Sequence, residues 1–294
     1  SVAVLTQSNP GFVNLGLMLG KDTLMNYITE YGFGEKTGID LNGEGLGILF
    51  DVNAMGNVEL ATTAFGQGIS VTPIGQVRAV SAVVNGGTLY TPYIVKSFLE
   101  PETDTIIKSN EPTKVGSIIS EETSSIVRYA LESVVAKGSG HNAYIENYRI
   151  GGKTGTAQTV ENGVYSDSKY ILSFIGFMPA DDPEIVVYVA VQNAKNVVQY
   201  GGTVAAPIAR NIFLSAIDIL DIEADTEGIP KEYTWLDIKY VITPDVTGLS
   251  LDEAKEALKG FNIEYSGNGE NVVYQSPSGG MYVKEGGTIV LMLN

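Results

Sequence analysis

Gly151-Gly152-Lys153-Thr154-Gly155-Thr156-Ala157-Gln158 stands where the surrounding pattern calls for a strand, and its reading decides the fold. The strand candidates are Tyr148–Thr156, Tyr170–Met178 and Glu184–Asn193. The last two are apolar runs joined by Pro179-Ala180-Asp181-Asp182-Pro183, turn chemistry that predicts an antiparallel hairpin. Upstream, a short helix is expected over Thr23–Tyr31, with Asp22 placed to cap it and Gly32 and Gly34 to stop it. A longer one is expected over 121–137, where Ile126, Val127, Ala130, Leu131, Val134 and Val135 recur at helical spacing behind Ser120 and Lys137-Gly138 closes the run. Pro207 suits the first turn of a third helix, whose apolar face would be Ile208, Ile212, Phe213 and Ile217. Strands grouped after helices, with one more helix to follow, suggest an α+β sandwich in which helices cover an antiparallel sheet.

In such a sheet the opening string has a chemical meaning. On an edge strand, Gly155 lets a peptide backbone approach closely, Lys153 supplies positive charge, and Thr154 and Thr156 offer hydroxyls to a carboxylate. A bare Lys-Thr-Gly tripeptide also arises by chance, and a solvated strand lysine would account for Lys153 equally well.

Four further stretches change that balance. In order they are Gln7-Ser8-Asn9-Pro10; Gly32-Phe33-Gly34 with Thr37-Gly38-Ile39-Asp40-Leu41; Gly66-Gln67-Gly68-Ile69-Ser70-Val71-Thr72-Pro73 followed by Asn85-Gly86-Gly87; and Gly138-Ser139-Gly140. Together with the K-T-G string, the series resembles the class B penicillin-binding proteins of the division and sporulation type, over essentially residues 1–220. The resemblance implies a partial penicillin-binding transpeptidase fold. It also implies a serine D,D-transpeptidase that cross-links peptidoglycan stem peptides through an acyl-enzyme and is inhibited by β-lactams. Ser8, Asn9 and Lys153 would be catalytic, and Thr154, Gly155 and Thr156 would bind substrate. Ser8 would relay a proton toward the leaving amine, Asn9 would hold the substrate amide or a lysine, and the Thr156 backbone N–H would be an oxyanion donor. No cofactor or metal is expected. The expected setting is the extracytoplasmic face of a membrane, with an N-terminal anchor and a membrane glycosyltransferase partner. A D,D-carboxypeptidase or a catalytically silent wall-binding protein would carry the same motifs.

The chain departs from the family pattern twice. The S-x-N box keeps one residue between Ser and Asn, whereas Ser8 and Asn9 are adjacent, which would turn Asn9 from its expected direction. The nucleophile's S-x-x-K box is expected upstream of S-x-N, and the apolar run Ser1–Leu5 suggests that the chain opens inside a folded element. Ser166-Asp167-Ser168-Lys169 matches S-x-x-K literally. It comes after K-T-G, however, in a polar connection with no helix to hold Lys169 beside Ser166. His141, alone in a Gly-rich stretch, reads as surface or structural, and Glu30, Glu35 and Asp40 read as solvation.

Composition sets the outer limits. The 294 residues are 44% hydrophobic and 18% charged, enough for a packed core. A net charge of -16 makes nucleic acid an improbable partner. No apolar run approaches the roughly 20 residues that span a bilayer. Cys is absent and His141 is the single histidine, so there is little material for a zinc site. Three parts are expected: 1–222, a linker over 223–239 rich in charge with Gly228 and Pro230, and a small module over 240–294. The module reads as a helix over Leu251–Leu258 and strands at Asn262–Tyr265, Val272–Ser276 and Thr288–Leu293, with Ala254, Ala257 and Leu258 inward. It resembles a PASTA domain in Pro244-Asp245-Val246-Thr247-Gly248, Gln275-Ser276-Pro277 and Gly286-Gly287. Such domains bind muropeptides or β-lactams in some proteins and act as spacers in others, and the spacer reading is favoured here.

Overall fold

The computed structural model describes residues 8–161, 164–231 and 240–294. The Ser1–Leu5 run, Gln7 and residues 232–239 of the expected linker lie outside these residues. Two compact units are present, Ser1–Lys231 and Glu232–Asn294.

The first unit opens with a helix that the periodicity had not suggested, α1 (Asn9–Leu19). Ser8 caps it by accepting the Gly11 N–H at 3.3 Å, and Pro10 occupies its first turn. Gly16 lets α1 lie against α3 (Asn57–Ala64), since a Cβ there would stand 2.4 Å from Ala64 Cβ. At Gly20 the chain turns with φ +81°, a conformation that suits glycine, and α2 (Lys21–Glu30) begins at once. Asp22 therefore lies within the first turn of α2 and does not cap it. Next come α4 (Pro73–Val84), the small antiparallel pairs β1 (Thr88–Thr91) with β4 (Thr113–Ser117) and β2 (Ser97–Leu99) with β3 (Ile106–Ser109), and α5 (Glu121–Lys137). The start of α5 is as expected, with Ser120 Oγ accepting the Thr123 N–H at 3.2 Å.

The main sheet is antiparallel in the order β5 (Gly151–Glu161), β6 (Val164–Met178), β7 (Ile185–Gln192). Strand β5 starts three residues later than expected, and the β5–β6 pairing runs on through the polar stretch. Ser166-Asp167-Ser168-Lys169 thus lies in a strand, not in a connection. The polar side chains help to knit this arm: Gln158 Nε2 donates to Ser166 O at 3.0 Å and Thr159 Oγ1 to Lys169 O at 3.1 Å. A solvated hairpin arm needs no apolar alternation.

Helix α6 (Gly201–Leu220) covers one face of the sheet and begins six residues before Pro207, which falls inside it. Its buried face is Ala205, Ala206, Ala209, Phe213 and Ala216, whereas Ile208 and Ile212 remain about 40% exposed. Of the expected apolar face, Phe213 is in the core and Ile217 packs against it, while Ile208 and Ile212 do not, because close approach to a sheet favours the small alanines. By length and composition alone α6 could also cross a membrane, contrary to the sequence expectation. Here its small-residue face instead completes a core with Val135, Ile150 and Phe174. The Phe174 ring lies over Gly152 and Gly176, where Cβ atoms would stand 2.4 and 2.6 Å from it. The paired glycines are the slot for that ring. After α6, Ile222 is buried and the Asp225 and Ile229 N–H groups donate to Asn147 O and Glu132 Oε1, so residues 222–229 belong to this unit.

The second unit is α7 (Leu251–Ala257) on a sheet of β10 (Val272–Ser276), β12 (Thr288–Leu293) and β9 (Asn262–Ser266), with β12 and β9 parallel. A further pair, β8 (Tyr240–Ile242) with β11 (Tyr282–Lys284), had not been anticipated. Ser250 and Glu253 form a capping box at the start of α7. Val246, Ala254, Leu258, Val272, Ile289, Leu291 and Leu293 form the core, while Ala257, expected inward, is exposed.

Candidate active site

Three elements meet at β5. The first is the strand itself, an edge of its sheet among the described residues. Its register is Lys153↔Ile175, Thr154↔Phe174, Gly155↔Ser173 and Thr156↔Leu172. Paired residues share a face, so Thr154 and Thr156 lie on the side of Phe174 and α6, and Lys153 and Gly155 lie on the other. The box therefore flanks the strand edge from both faces.

The second element is the turn after α5. The Gly138 and Gly140 N–H groups both donate to Val134 O at 3.1 Å, which closes the helix and throws Ser139 out toward β5. There Ser139 Oγ lies 3.1 Å from Thr154 Oγ1. His141 Nδ1 lies 3.1 Å from Gly138 O within the same turn, in keeping with a structural role. The third element is the N-terminus of α6. The Gly201 N–H donates to Thr156 Oγ1 at 3.2 Å, and Gly202 O accepts from Asn142 Nδ2 at 2.8 Å. Neither helix residue could carry a side chain unchanged: a Cβ on Gly201 would stand 2.3 Å from both Gly155 O and Ser173 O, and one on Gly202 would stand 2.4 Å from Ser139 O.

Lys153 donates from Nζ to Thr154 O at 2.9 Å. Burial pushes its ammonium down to about 8, so near neutral pH it is a poorly hydrated cation. Ser8 and Asn9 are at the start of α1. The Ser8 hydroxyl is engaged with Gly11 N, and Asn9 is exposed. The structure thus gathers Thr154 and Thr156 with Ser139 and Gly201, and it places Ser8 as the N-cap of α1 and Asn9 as that helix's first residue.

Two other motif blocks serve as scaffolding. The Gly68 N–H donates to Tyr165 Oη at 3.0 Å, which links the 66–73 block to the β5–β6 arm. Asp40 accepts the Ile94 and Val95 N–H groups at 2.8 and 2.9 Å, and these bonds hold its carboxyl below the usual range. It is a clamp on a loop, not a solvating charge. Sequence reasoning missed Ser139, Asn142, Gly201 and Gly202. The glycine turn carried the only hint, and nothing in the sequence says that Gly201-Gly202 meets the K-T-G strand. Among the described residues no group of three or more metal-ligating side chains is present.

Residues 3–214 match the model of the penicillin binding protein transpeptidase domain. The chain belongs to the penicillin-binding protein transpeptidase family. Residues 241–294 match the model of the PASTA domain. Stage V sporulation protein D of Bacillus subtilis is 54% identical over 290 residues, which are 99% of this chain and 45% of that protein. A probable peptidoglycan D,D-transpeptidase, PenA of Neisseria meningitidis, is 31% identical over 73% of this chain and 35% of its own length. The chain spans less than half the length of these curated relatives. Among solved structures, penicillin binding protein 3 of Mycobacterium tuberculosis complexed with ampicillin is similar at a TM-score of 0.71 and 26% identity, over 79% of this chain and 54% of that one. The apo transpeptidase domain of Burkholderia pseudomallei penicillin-binding protein 3 is similar at 0.66 and 29%, over 76% and 64%. The penicillin-binding protein fold is therefore shared at a level where sequence and structure agree.

Proposed function

We propose that the full-length protein is a serine D,D-transpeptidase that cross-links peptidoglycan stem peptides and is acylated by β-lactams. The observation that carries this reading is the β5 edge: a desolvated lysine and two threonine hydroxyls flank one strand, in a chain of the penicillin-binding protein family. A carboxylate ending a D-Ala-D-Ala stem peptide, or the carboxylate of a penicillin, is the anion such a strand suits. Lys153 supplies the charge, the hydroxyls of Thr154 and Thr156 donate to it, Gly155 lets the ligand backbone approach, and the Thr156 N–H polarises the scissile carbonyl.

The serine of the S-x-x-K box, which precedes S-x-N in the family, attacks the carbonyl of the penultimate D-Ala. An ester forms, the C–N bond breaks, and terminal D-Ala leaves as the amine after taking up a proton, with Ser8 as relay. An acceptor amine from a neighbouring stem peptide then attacks the ester and frees the serine. Asn9 holds the substrate amide. The protein acts at the extracytoplasmic face of the membrane, beside a membrane glycosyltransferase that supplies glycan strands, and the PASTA unit serves as a spacer. The 54% identity to a stage V sporulation protein supports a sporulation role.

The test is to incubate the full-length protein with a pentapeptide ending in D-Ala-D-Ala, with and without a D-amino acid acceptor. Release of D-Ala with capture of the acceptor in a new peptide bond supports the proposal. Release with water as the sole acceptor makes it a carboxypeptidase, and no release makes it a silent wall-binding protein.

A further inference from the structure

The two threonines of the K-T-G strand each have a polar partner on the α6 side of the sheet, supplied by a different element. For Thr156 the direction of the bond is fixed: Oγ1 accepts the Gly201 N–H at 3.2 Å, so the hydroxyl proton is left to be donated elsewhere. For Thr154 one partner is another hydroxyl, Ser139 Oγ at 3.1 Å, and either could donate. Thr154 is 6% exposed, so protein neighbours and not bulk water decide where its proton points.

Ser139 is itself held from two sides. The Gly138 and Gly140 N–H groups converge on Val134 O, and Gly202 packs on the Ser139 carbonyl while Asn142 Nδ2 bonds Gly202 O. A small residue at 202 and an amide at 142 thus fix a serine at the height of Thr154. A carboxylate only accepts hydrogen bonds, so a threonine that binds one must arrive as a donor.

We propose that Ser139 is a positioning residue of the transpeptidase site: it donates its proton to Thr154 Oγ1 and thereby turns the Thr154 proton toward the ligand carboxylate, as the Gly201 N–H does for Thr156. The inference rests on the reading of β5 as the carboxylate-binding strand. Ser139 acts through Thr154 and need not touch the ligand.

The experiment measures the second-order rate constant for acylation of the full-length protein by benzylpenicillin and by its methyl ester, which lacks the carboxylate. Ser139→Ala should slow acylation by the acid about five- to tenfold, the size of one net hydrogen bond, and leave the ester rate unchanged. Ser139→Thr should restore the acid rate, and Ser139→Ala/Thr154→Ala should be no slower than Thr154→Ala alone. If Ser139→Ala impairs folding, Ser139→Cys, a near-isostere with a weak donor, gives the same acid-to-ester comparison. Equal losses with acid and ester, or no loss with the acid, would overturn the role of Ser139. A Thr154→Ala variant that slows acid and ester alike would overturn the carboxylate-binding strand and this inference with it, whereas a selective Thr154→Ala beside an unaffected Ser139→Ala removes the inference alone.

Discussion

Arg149 holds Glu132 through two parallel hydrogen bonds, Nε to Oε1 at 3.1 Å and Nη2 to Oε2 at 2.9 Å, and the glutamate side chain is only 3% exposed. Asp181 and Asp225 stand 3.4 and 3.6 Å from the remaining guanidinium nitrogen, and Glu132 Oε1 also takes the Ile229 N–H at 3.1 Å. The bonds from Glu132, with the two aspartates adding to them, hold the guanidinium above its ordinary range. One network thus ties α5, the entry to β5, the β6–β7 turn and the chain leaving α6. It anchors the chain just before the strand bearing Lys153.

Arg149→Met should therefore leave the Glu132 carboxylate buried without its cation and lower the stability of the first unit by about 3–5 kcal/mol. Arg149→Met/Glu132→Leu should recover much of that loss, because the uncompensated charge goes with its partner. Urea unfolding of the single and double variants checks this. A single variant as stable as the parent would show that the network contributes little.

Lys153 gives a pH dependence of definite sign. Burial lowers its folded pKa to about 8, below the ordinary lysine value, so the folded state binds the proton more weakly than the unfolded chain does. The cost of holding the cation is full below pH 8, and stability rises as pH climbs from there through the ordinary lysine range. Acylation by carboxylate-bearing β-lactams should move the opposite way and fall as pH rises through about 8. Lys153→Met should melt no lower than the parent while losing acylation. An acylation profile flat to pH 10 would contradict the role given to this charge.

Gly201 has no room for a methyl group, since its Cβ would meet the carbonyl oxygens of Gly155 and Ser173. Gly201→Ala should push the start of α6 off β5, cost about 1–3 kcal/mol as overpacking does, and slow acylation by disturbing Thr156. The paired readout is the melting temperature with the penicillin acylation rate. A variant with both unchanged would mean that the α6 N-terminus does not brace the strand.

What the sequence made legible, and what it hid, follows from the range of the forces involved. The α5 cap at Ser120, the β6–β7 turn and the core of the second unit were readable because each rests on local chemistry or on strict alternation. Helix α1 was missed because its apolar residues face outward, Leu15 and Met18 being 55% and 83% exposed, so that no one-sided stripe marked it. The burying face of α6 is half legible: Phe213 and Ile217 meet the core as expected, but alanines take the places given to Ile208 and Ile212. Lys153, Thr154, Gly155 and Thr156 were found by motif. Ser139 and Gly201 were not assigned roles, because their partners lie 15 and 45 residues away along the chain.

The second unit has a core of its own, closed by Val246, Leu258, Val272, Ile289 and Leu291. Deleting residues 236–294 from the full-length protein should therefore leave β-lactam acylation within about twofold and one cooperative melt for the remainder. Acylation that collapses while that melt survives would assign the module to the catalytic groove.

The most direct test of the central claim is the intact mass of the full-length protein after incubation with benzylpenicillin, followed by peptide mapping. The account predicts one penicillin per chain, carried by the serine of the upstream S-x-x-K box, and a Lys153→Ala variant that is acylated at least about tenfold more slowly, as loss of a charge-assisted contact implies. No adduct on the parent protein, or an adduct mapped to Ser166 of the Ser166-Asp167-Ser168-Lys169 strand, would contradict it.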